Sequence, residues 1–128
     1  MSLNKNMRIL IVDDYNTMLR ILRNLLRQLE MTNVEEATNG QEALDKLKRD
    51  SYDLVISDWN MTPMTGLDLL RSVRGDAQLR RLPFIMVTAE SKTDNVITAK
   101  QAGVSNYIVK PFSAEVLKAK IGSVFGGA

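Results

Sequence analysis

Ile9-Leu10-Ile11-Val12 runs directly into Asp13-Asp14, and the same event recurs down the chain. Leu54-Val55-Ile56-Ser57 stops on Asp58, Phe84-Ile85-Met86-Val87 on Thr88, and Tyr107-Ile108-Val109 on Lys110. Short runs of Val, Ile and Leu without polar alternation read as parallel strands covered on both faces. The intervening stretches carry apolar residues at helical spacing. Met18, Leu19, Leu22, Leu25, Leu26 and Leu29 predict a helix over about 16–30, with Asn16-Thr17 offering capping side chains. Val34-Glu35-Glu36-Ala37 is a further strand, and Asn39-Gly40 turns the chain into a helix carrying Ala43, Leu44 and Leu47. Residues 59–66, rich in Met, Thr, Pro and Gly, form a loop before a helix with Leu67, Leu69, Leu70 and Val73, closed by Gly75-Asp76. Pro83 opens the next strand. A helix from about Asp94 ends at Gly103, a left-handed capping residue, and a last one runs from Ser113 to about Val124.

Strand and helix thus alternate five times. With right-handed crossovers this gives a five-stranded parallel sheet in a three-layer α/β/α sandwich. All five polar stops, Asp13, Asp14, Asp58, Thr88 and Lys110, then lie along one sheet edge, the edge where open α/β folds bind ligands.

A chain of 128 residues, 45% hydrophobic and 25% charged, suits one globular domain, with an ordered core over about 6–124. Met1-Ser2-Leu3 and Gly126-Gly127-Ala128 read as poorly structured ends. There is no Cys for disulfides or thiolate metal sites, and no His for imidazole chemistry. Any chemistry must run on carboxylates, Lys, Thr and backbone. The 17 basic and 15 acidic side chains are interspersed, which gives no footprint for nucleic acid. No apolar run approaches the roughly 20 residues of a membrane helix, so the reading is of a soluble cytoplasmic protein.

If the first and third strands are neighbours, Asp13, Asp14 and Asp58 crowd together, and such carboxylates repel unless neutralised. A hard divalent cation does this with oxygen ligands alone, and Mg²⁺ takes only one or two carboxylates beside waters and phosphate oxygens. Lys110 adds a point charge and Thr88 a hydroxyl donor. Metal, ammonium and hydroxyl together suit phosphoryl transfer, in which charge spreads over three phosphoryl oxygens. One carboxylate can itself be the nucleophile and form an acyl phosphate, and Asp58, single, central and followed by a loop, is the best placed. The bland alternative makes Asp13-Asp14 a helix cap, Asp58 a turn residue and Lys110 a solvated charge. It has to hold at every strand end at once.

Val12-Asp13-Asp14, Ser57-Asp58-Trp59-Asn60-Met61 with Gly66 eight residues past Asp58, Val87-Thr88-Ala89 and Lys110-Pro111-Phe112 resemble the receiver domain of two-component response regulators. Asp-Trp-Asn-Met, Met-Val-Thr-Ala-Glu, Tyr-Ile-Val-Lys-Pro-Phe and Asn-Val-Glu-Glu-Ala look most like its single-domain chemotaxis members. The resemblance implies a flavodoxin-like, doubly wound sheet of strand order 2-1-3-4-5. It also implies that Asp58 accepts a phosphoryl group from the phosphohistidine of a CheA-like sensor histidine kinase. Asp14 and Asp58 would ligate Mg²⁺ directly, Asn60 through its carbonyl, and Asp13 through a bound water. Lys110 would pair with one phosphoryl oxygen and Thr88 with another, while Tyr107 changes rotamer as the second half of a Thr and Tyr switch. The Lys110-Pro111 bond would be cis and hold Lys110 in place. Tyr15 and Glu90 occupy positions that tune hydrolysis, and Trp59 would report metal or phosphate by fluorescence. Output would pass through the face of the fourth helix, fifth strand and fifth helix, carrying Lys92, Ile97, Tyr107, Val109 and Lys120. It would reach a partner protein such as the flagellar motor switch, the chain itself being a monomeric switch and not an enzyme.

One stretch departs from the family pattern. Receivers commonly have proline four residues after the acceptor and Asp before the glycine, whereas here Thr62 precedes Pro63 and Thr65 precedes Gly66. Moving a proline by one changes which neighbour is conformationally restricted, which bears on loop rigidity and metal affinity. Rival classes fit less well. An FMN-binding flavodoxin needs a phosphate-cradling loop where Asp13-Asp14 would repel the phosphate, and an Asp-nucleophile phosphatase needs a general acid where Asn60 stands. Phosphorelay intermediates and free-standing regulators outside chemotaxis share the same scaffold.

Overall fold

A computed structural model describes residues 5–88 and 93–126. Five strands and five helices alternate: β1 (Ile9–Val12), α1 (Asn16–Gln28), β2 (Val34–Ala37), α2 (Gly40–Arg49), β3 (Leu54–Asp58), α3 (Gly66–Gly75), β4 (Phe84–Thr88), α4 (Thr93–Gln101), β5 (Asn106–Val109) and α5 (Ala114–Gly126). The strands form one sheet in the order β2-β1-β3-β4-β5, and every pairing is parallel. The expected flavodoxin-like architecture and strand order are the ones found.

Why the strands read as unbroken apolar runs is visible in how they divide their side chains. Successive residues of a strand point to opposite faces. Ile9, Ile11, Leu54, Ile56, Ile85, Val87 and Ile108 pack on one face with Leu19, Leu22 and Leu26 of α1 and Leu117 and Ile121 of α5. Leu10, Val12, Val55, Phe84 and Met86 pack on the other with Ala43, Leu44 and Leu47 of α2 and Leu69, Leu70 and Val73 of α3. Both faces need apolar cover, so both parities are apolar.

Register then carries the strand ends to one edge. Val12 lies opposite Ser57, which sets Asp13 beside Asp58; Asp58 lies opposite Val87, and Thr88 opposite Val109.

Local capping differs from expectation in places. At α1 the cap is Tyr15, with no side-chain cap bond, and neither Asn16 nor Thr17 fills that role. The Tyr15 N–H is drawn instead to the Asp13 carboxylate (3.0 Å). Helix α1 ends at Gln28, followed by Leu29 and by Glu30 with φ of 64°. Asn39 caps α2 by accepting the Glu42 N–H (2.8 Å), while Glu42 accepts the Thr38 N–H (2.8 Å). The last helix runs through Gly126, two residues past the expected end and into the predicted tail. Gly103 has φ of 93°, the left-handed geometry expected after α4. No helix among the described residues is long and apolar enough to cross a membrane.

One side chain with no sequence signal ties three segments together. Arg74, at the end of α3, donates to the carbonyls of Gly103 (2.8 Å), Leu82 (2.6 Å) and Arg80 (3.2 Å) and lies 3.4 Å from the Ser105 hydroxyl. Desolvation lowers its pKa, the mark of a guanidinium drawn into the fold. Truncation strands several carbonyl acceptors at once. Arg74→Ala is therefore expected to cost about 2–3 kcal/mol in urea unfolding, and Arg74→Lys to recover less than half of it, because an ammonium lacks the planar fork.

Candidate functional site

The site grows from the C-terminal ends of β1, β3, β4 and β5. Asp13 is buried at 2% exposure, Asp58 at 5% and Thr88 at 7%, whereas Asp14 faces solvent. Each sits one residue beyond, or at the last residue of, a strand whose side chains are fully packed. The carboxylates therefore cannot retreat from one another by moving the backbone.

Asp58 is held from both sides. Its Oδ1 pairs with the Lys110 ammonium at 2.6 Å, and its Oδ2 accepts the Asn60 N–H at 3.0 Å. The second bond closes a tight turn that leaves the Asn60 side chain exposed. The Lys110 N–H donates to the Thr88 carbonyl (2.8 Å), so the β5 end that carries the ammonium is stitched to the β4 end that carries the hydroxyl. The Lys110–Pro111 peptide is cis, as the resemblance implied, and Thr62–Pro63 is cis as well.

Asp13 is less well provided for. Its Oδ1 takes the Tyr15 N–H, but its Oδ2 is buried with no hydrogen-bond partner among the described residues. Burial above all, and then the Asp58 charge, push its pKa up to about 6. The Tyr15 N–H and Lys110 pull the other way, without offsetting this. An unpartnered anionic oxygen beside a second carboxylate is an incomplete site. What completes it most simply is a hard cation with its waters, and every donor here is oxygen. The expected convergence of three carboxylates is not found: among the described residues no three Asp, Glu, His or Cys side chains gather closely enough to hold an ion alone. Asp14, the second residue past β1, is turned outward where the chain bends at Tyr15 to begin α1, while Asp13, the first, continues the strand's register beside Asp58. Asp13 and Asp58 form the inner pair, and a shell of two or three protein oxygens completed by waters is what Mg²⁺ favours.

The loop after Asp58 is built around Gly66. A Cβ there would overlap the Asp58 carbonyl oxygen and stand 2.9 Å from the Met86 sulfur. The Gly66 N–H bonds the Trp59 carbonyl (2.9 Å), and the Trp59 N–H bonds the Val87 carbonyl (2.9 Å). The unusual Thr65 keeps the helix start intact. Its hydroxyl accepts the Asp68 N–H (3.1 Å) while Asp68 accepts the Thr65 N–H (3.2 Å), a capping box that an Asp at 65 would fill in the same way. The signal was legible, a threonine three residues before an acid. Met61 is buried, and Met64 packs against Gly40, so both serve loop packing.

Trp59, Met86, Thr88, Asn95, Val96, Ala99 and Tyr107 line a narrow cleft of about 10 Å³ between β4, β5 and α4. Thr88 and Tyr107 thus border one space, with Trp59 at its wall beside Asp58. Of the remaining residues singled out above, Tyr15 is 63% exposed and Ile97 48% exposed, Val109 and Lys120 are half-buried, and Glu90 and Lys92 lie outside the described residues. Asn106 and Ser123, which bond each other beside Tyr107, carried no signal in the sequence.

Comparison with known proteins agrees with this geometry. The model of the response regulator receiver domain matches residues 9–122. The chain is 54% identical over 123 residues to the chemotaxis protein CheY-3 of Vibrio cholerae, covering 96% of this chain and 95% of that one. It is 56% identical over 119 residues to the chemotaxis protein CheY of Pseudomonas aeruginosa, covering 93% and 96%. Among solved structures it resembles the chemotaxis response regulator CheY4 of Vibrio cholerae, with a TM-score of 0.86 and 32% identity over 94% of this chain and 99% of that one. It also resembles the signal receiver domain of a histidine kinase from Syntrophus aciditrophicus, with a TM-score of 0.84 and 32% identity over 95% and 92%.

Two outcomes test the site. Gly66→Ala is expected to destabilise by about 1–3 kcal/mol, because backbone, not a flexible side chain, blocks the new methyl; thermal unfolding reads this. The Asp13 carboxyl has a folded pKa of about 6 against an ordinary 3.8. Its contribution is fully present below pH 3.8 and lost as pH rises through about 6, so without divalent ions stability falls across that window by up to about 3 kcal/mol. Asp13→Asn should flatten this profile and raise the Tm near neutral pH by several degrees.

Proposed function

The chain belongs to the response regulator receiver family, and on that premise we propose that Asp58 is its phosphoacceptor, charged by a CheA-like sensor histidine kinase in a Mg²⁺-dependent reaction. The observation that carries this reading is the buried, unpartnered Asp13 oxygen beside an Asp58 already gripped by Lys110 and the Asn60 N–H.

The roles follow from position. Asp14 and Asp58 would hold the cation directly, Asn60 through its carbonyl, and Asp13 through a water of its shell, which would supply the missing donor to Oδ2. Bound there, Mg²⁺ supplies charge for the transferring phosphoryl oxygens. A carboxylate oxygen of Asp58 attacks phosphorus, the O–P bond forms as the P–N bond of phosphohistidine breaks, and the electron pair returns to the imidazole. Lys110 releases its pairing with the free carboxylate and takes a phosphoryl oxygen, and the Thr88 hydroxyl takes another. By the family resemblance, Tyr15 and Glu90 would modulate attack of water on the acyl phosphate.

Output is binding. Thr88 and Tyr107 share one cleft, so a hydroxyl drawn toward Asp58 changes the room left to the tyrosine ring. That would reshape the face carrying Ile97, Tyr107, Val109 and Lys120. The named relatives favour chemotaxis, with the flagellar motor switch as the partner and the cytoplasm as the setting. We read the chain as one monomeric receiver unit, a switch that assists its own phosphorylation and dephosphorylation.

Intact mass and Trp59 fluorescence test this directly. With acetyl phosphate and Mg²⁺, the native chain is expected to gain one phosphoryl group and change its emission; without Mg²⁺, or as Asp58→Asn, it should do neither. An equal response from the Asn variant overturns the assignment. Lys110→Ala should still bind Mg²⁺ but lose most of the phosphorylation-dependent fluorescence change.

A further inference from the structure

Tyr107 is held by more than its cleft. Strand β5 is the edge of the sheet, where backbone donors have no further strand to take them. The Tyr107 N–H donates to Asn106 Oδ1 (2.8 Å). The same Asn106 side chain donates from Nδ2 to the Ser123 hydroxyl (2.7 Å) on α5, and that hydroxyl donates to the Lys120 carbonyl (2.8 Å). Lys120 turns back, setting its ammonium 5.1 Å from the centre of the Tyr107 ring. The path leaves the Tyr107 backbone, crosses to α5 through two side chains, and returns to the Tyr107 ring. Ser123 uses its oxygen as acceptor and its proton as donor, so one hydroxyl joins the two halves of the path.

We propose that Asn106, Ser123 and Lys120 form a positioning circuit that fixes α5 against β5 and biases the Tyr107 ring toward the position seen here. Only one link of the circuit depends on where the ring points. The backbone bond and the two side-chain bonds survive a change of rotamer, but the ammonium–ring contact does not. A contact shifts an equilibrium only when it differs between the states, so Lys120 is the element that weights the rotamers. Asn106 and Ser123 act through it by fixing the turn of α5 that carries it. A partly exposed cation–ring contact is worth about 0.5–1 kcal/mol, which corresponds to a roughly two- to five-fold change in rotamer ratio.

This inference rests on the reading of Tyr107 as a switch, and one experiment separates the two. The chain is labelled with 3-fluorotyrosine, the Tyr107 signal is assigned by its loss in Tyr107→Phe, and ¹⁹F relaxation dispersion measures the minor-rotamer population. Lys120→Met is expected to raise that population about two- to five-fold. Ser123→Ala should raise it in the native background, add nothing in the Lys120→Met background, and be rescued by Ser123→Thr. An unchanged population in Lys120→Met, or additive effects of the two substitutions, overturns the circuit. Ser123 is exposed, so its variants retain the fold, and thermal unfolding checks this. If beryllofluoride with Mg²⁺ fails to move the native Tyr107 signal, the switch reading fails; if it moves the native signal while the variants leave the populations unchanged, the circuit alone does.

Discussion

Burying the Asp13 carboxylate beside Asp58 costs free energy that the chain meets only in part, with the Tyr15 N–H on one oxygen and the Lys110 ammonium on the neighbouring residue. The parallel register of β1 and β3 imposes this closeness, and the packed faces of both strands forbid its relief. Charge is therefore stored at one point on the sheet edge, in a form that a cation and then a phosphoryl group would rebalance. Lys110 links that point to the neighbouring strand, because its ammonium sits on Asp58 while its backbone N–H is anchored to the Thr88 carbonyl.

The same edge connects chemistry to a surface. Trp59 follows Asp58 and walls the cleft into which Thr88 and Tyr107 also project. Movement of any one of them is felt by the others through packing, since interiors transmit small displacements instead of absorbing them. On the far side of Tyr107, Lys120 and the bonds through Ser123 and Asn106 bring α5 into the same arrangement. Site and face are joined by contiguous contacts, and the tyrosine is where they meet.

The loop that departs from the family pattern shows how a different residue can keep a helix start intact. Thr65 replaces one capping residue with another, and the capping box with Asp68 starts α3 at the glycine that touches the Asp58 carbonyl. Gly66 is the constrained part of the loop, because its Cα passes so close to the Asp58 backbone that no side chain fits. The displaced proline lies farther out, at the tip where Met64 leans on α2.

Much of this was legible in the residues themselves. Apolar runs of both parities, each ending on a polar residue and each followed by a helical period, determine a parallel sheet covered on two faces, and so the edge to which Asp13, Asp58, Thr88 and Lys110 belong. Which of the carboxylates would be inward was not legible. Asp13 and Asp14 are identical in sequence terms, and only the register against β3 and the turn at Tyr15 bury the first and expose the second. Nor did any pattern mark Arg74 or the path from Asn106 through Ser123 to Lys120. Their partners are mostly backbone carbonyls and hydroxyls, several of them on other elements, and a hydrogen bond to a carbonyl leaves no trace in the identity of the residue that accepts it. Periodicity determined the layers and the edge, because burial of apolar side chains is a local pattern repeated; tertiary structure decided the partners, because hydrogen-bond geometry exists only once the layers have met.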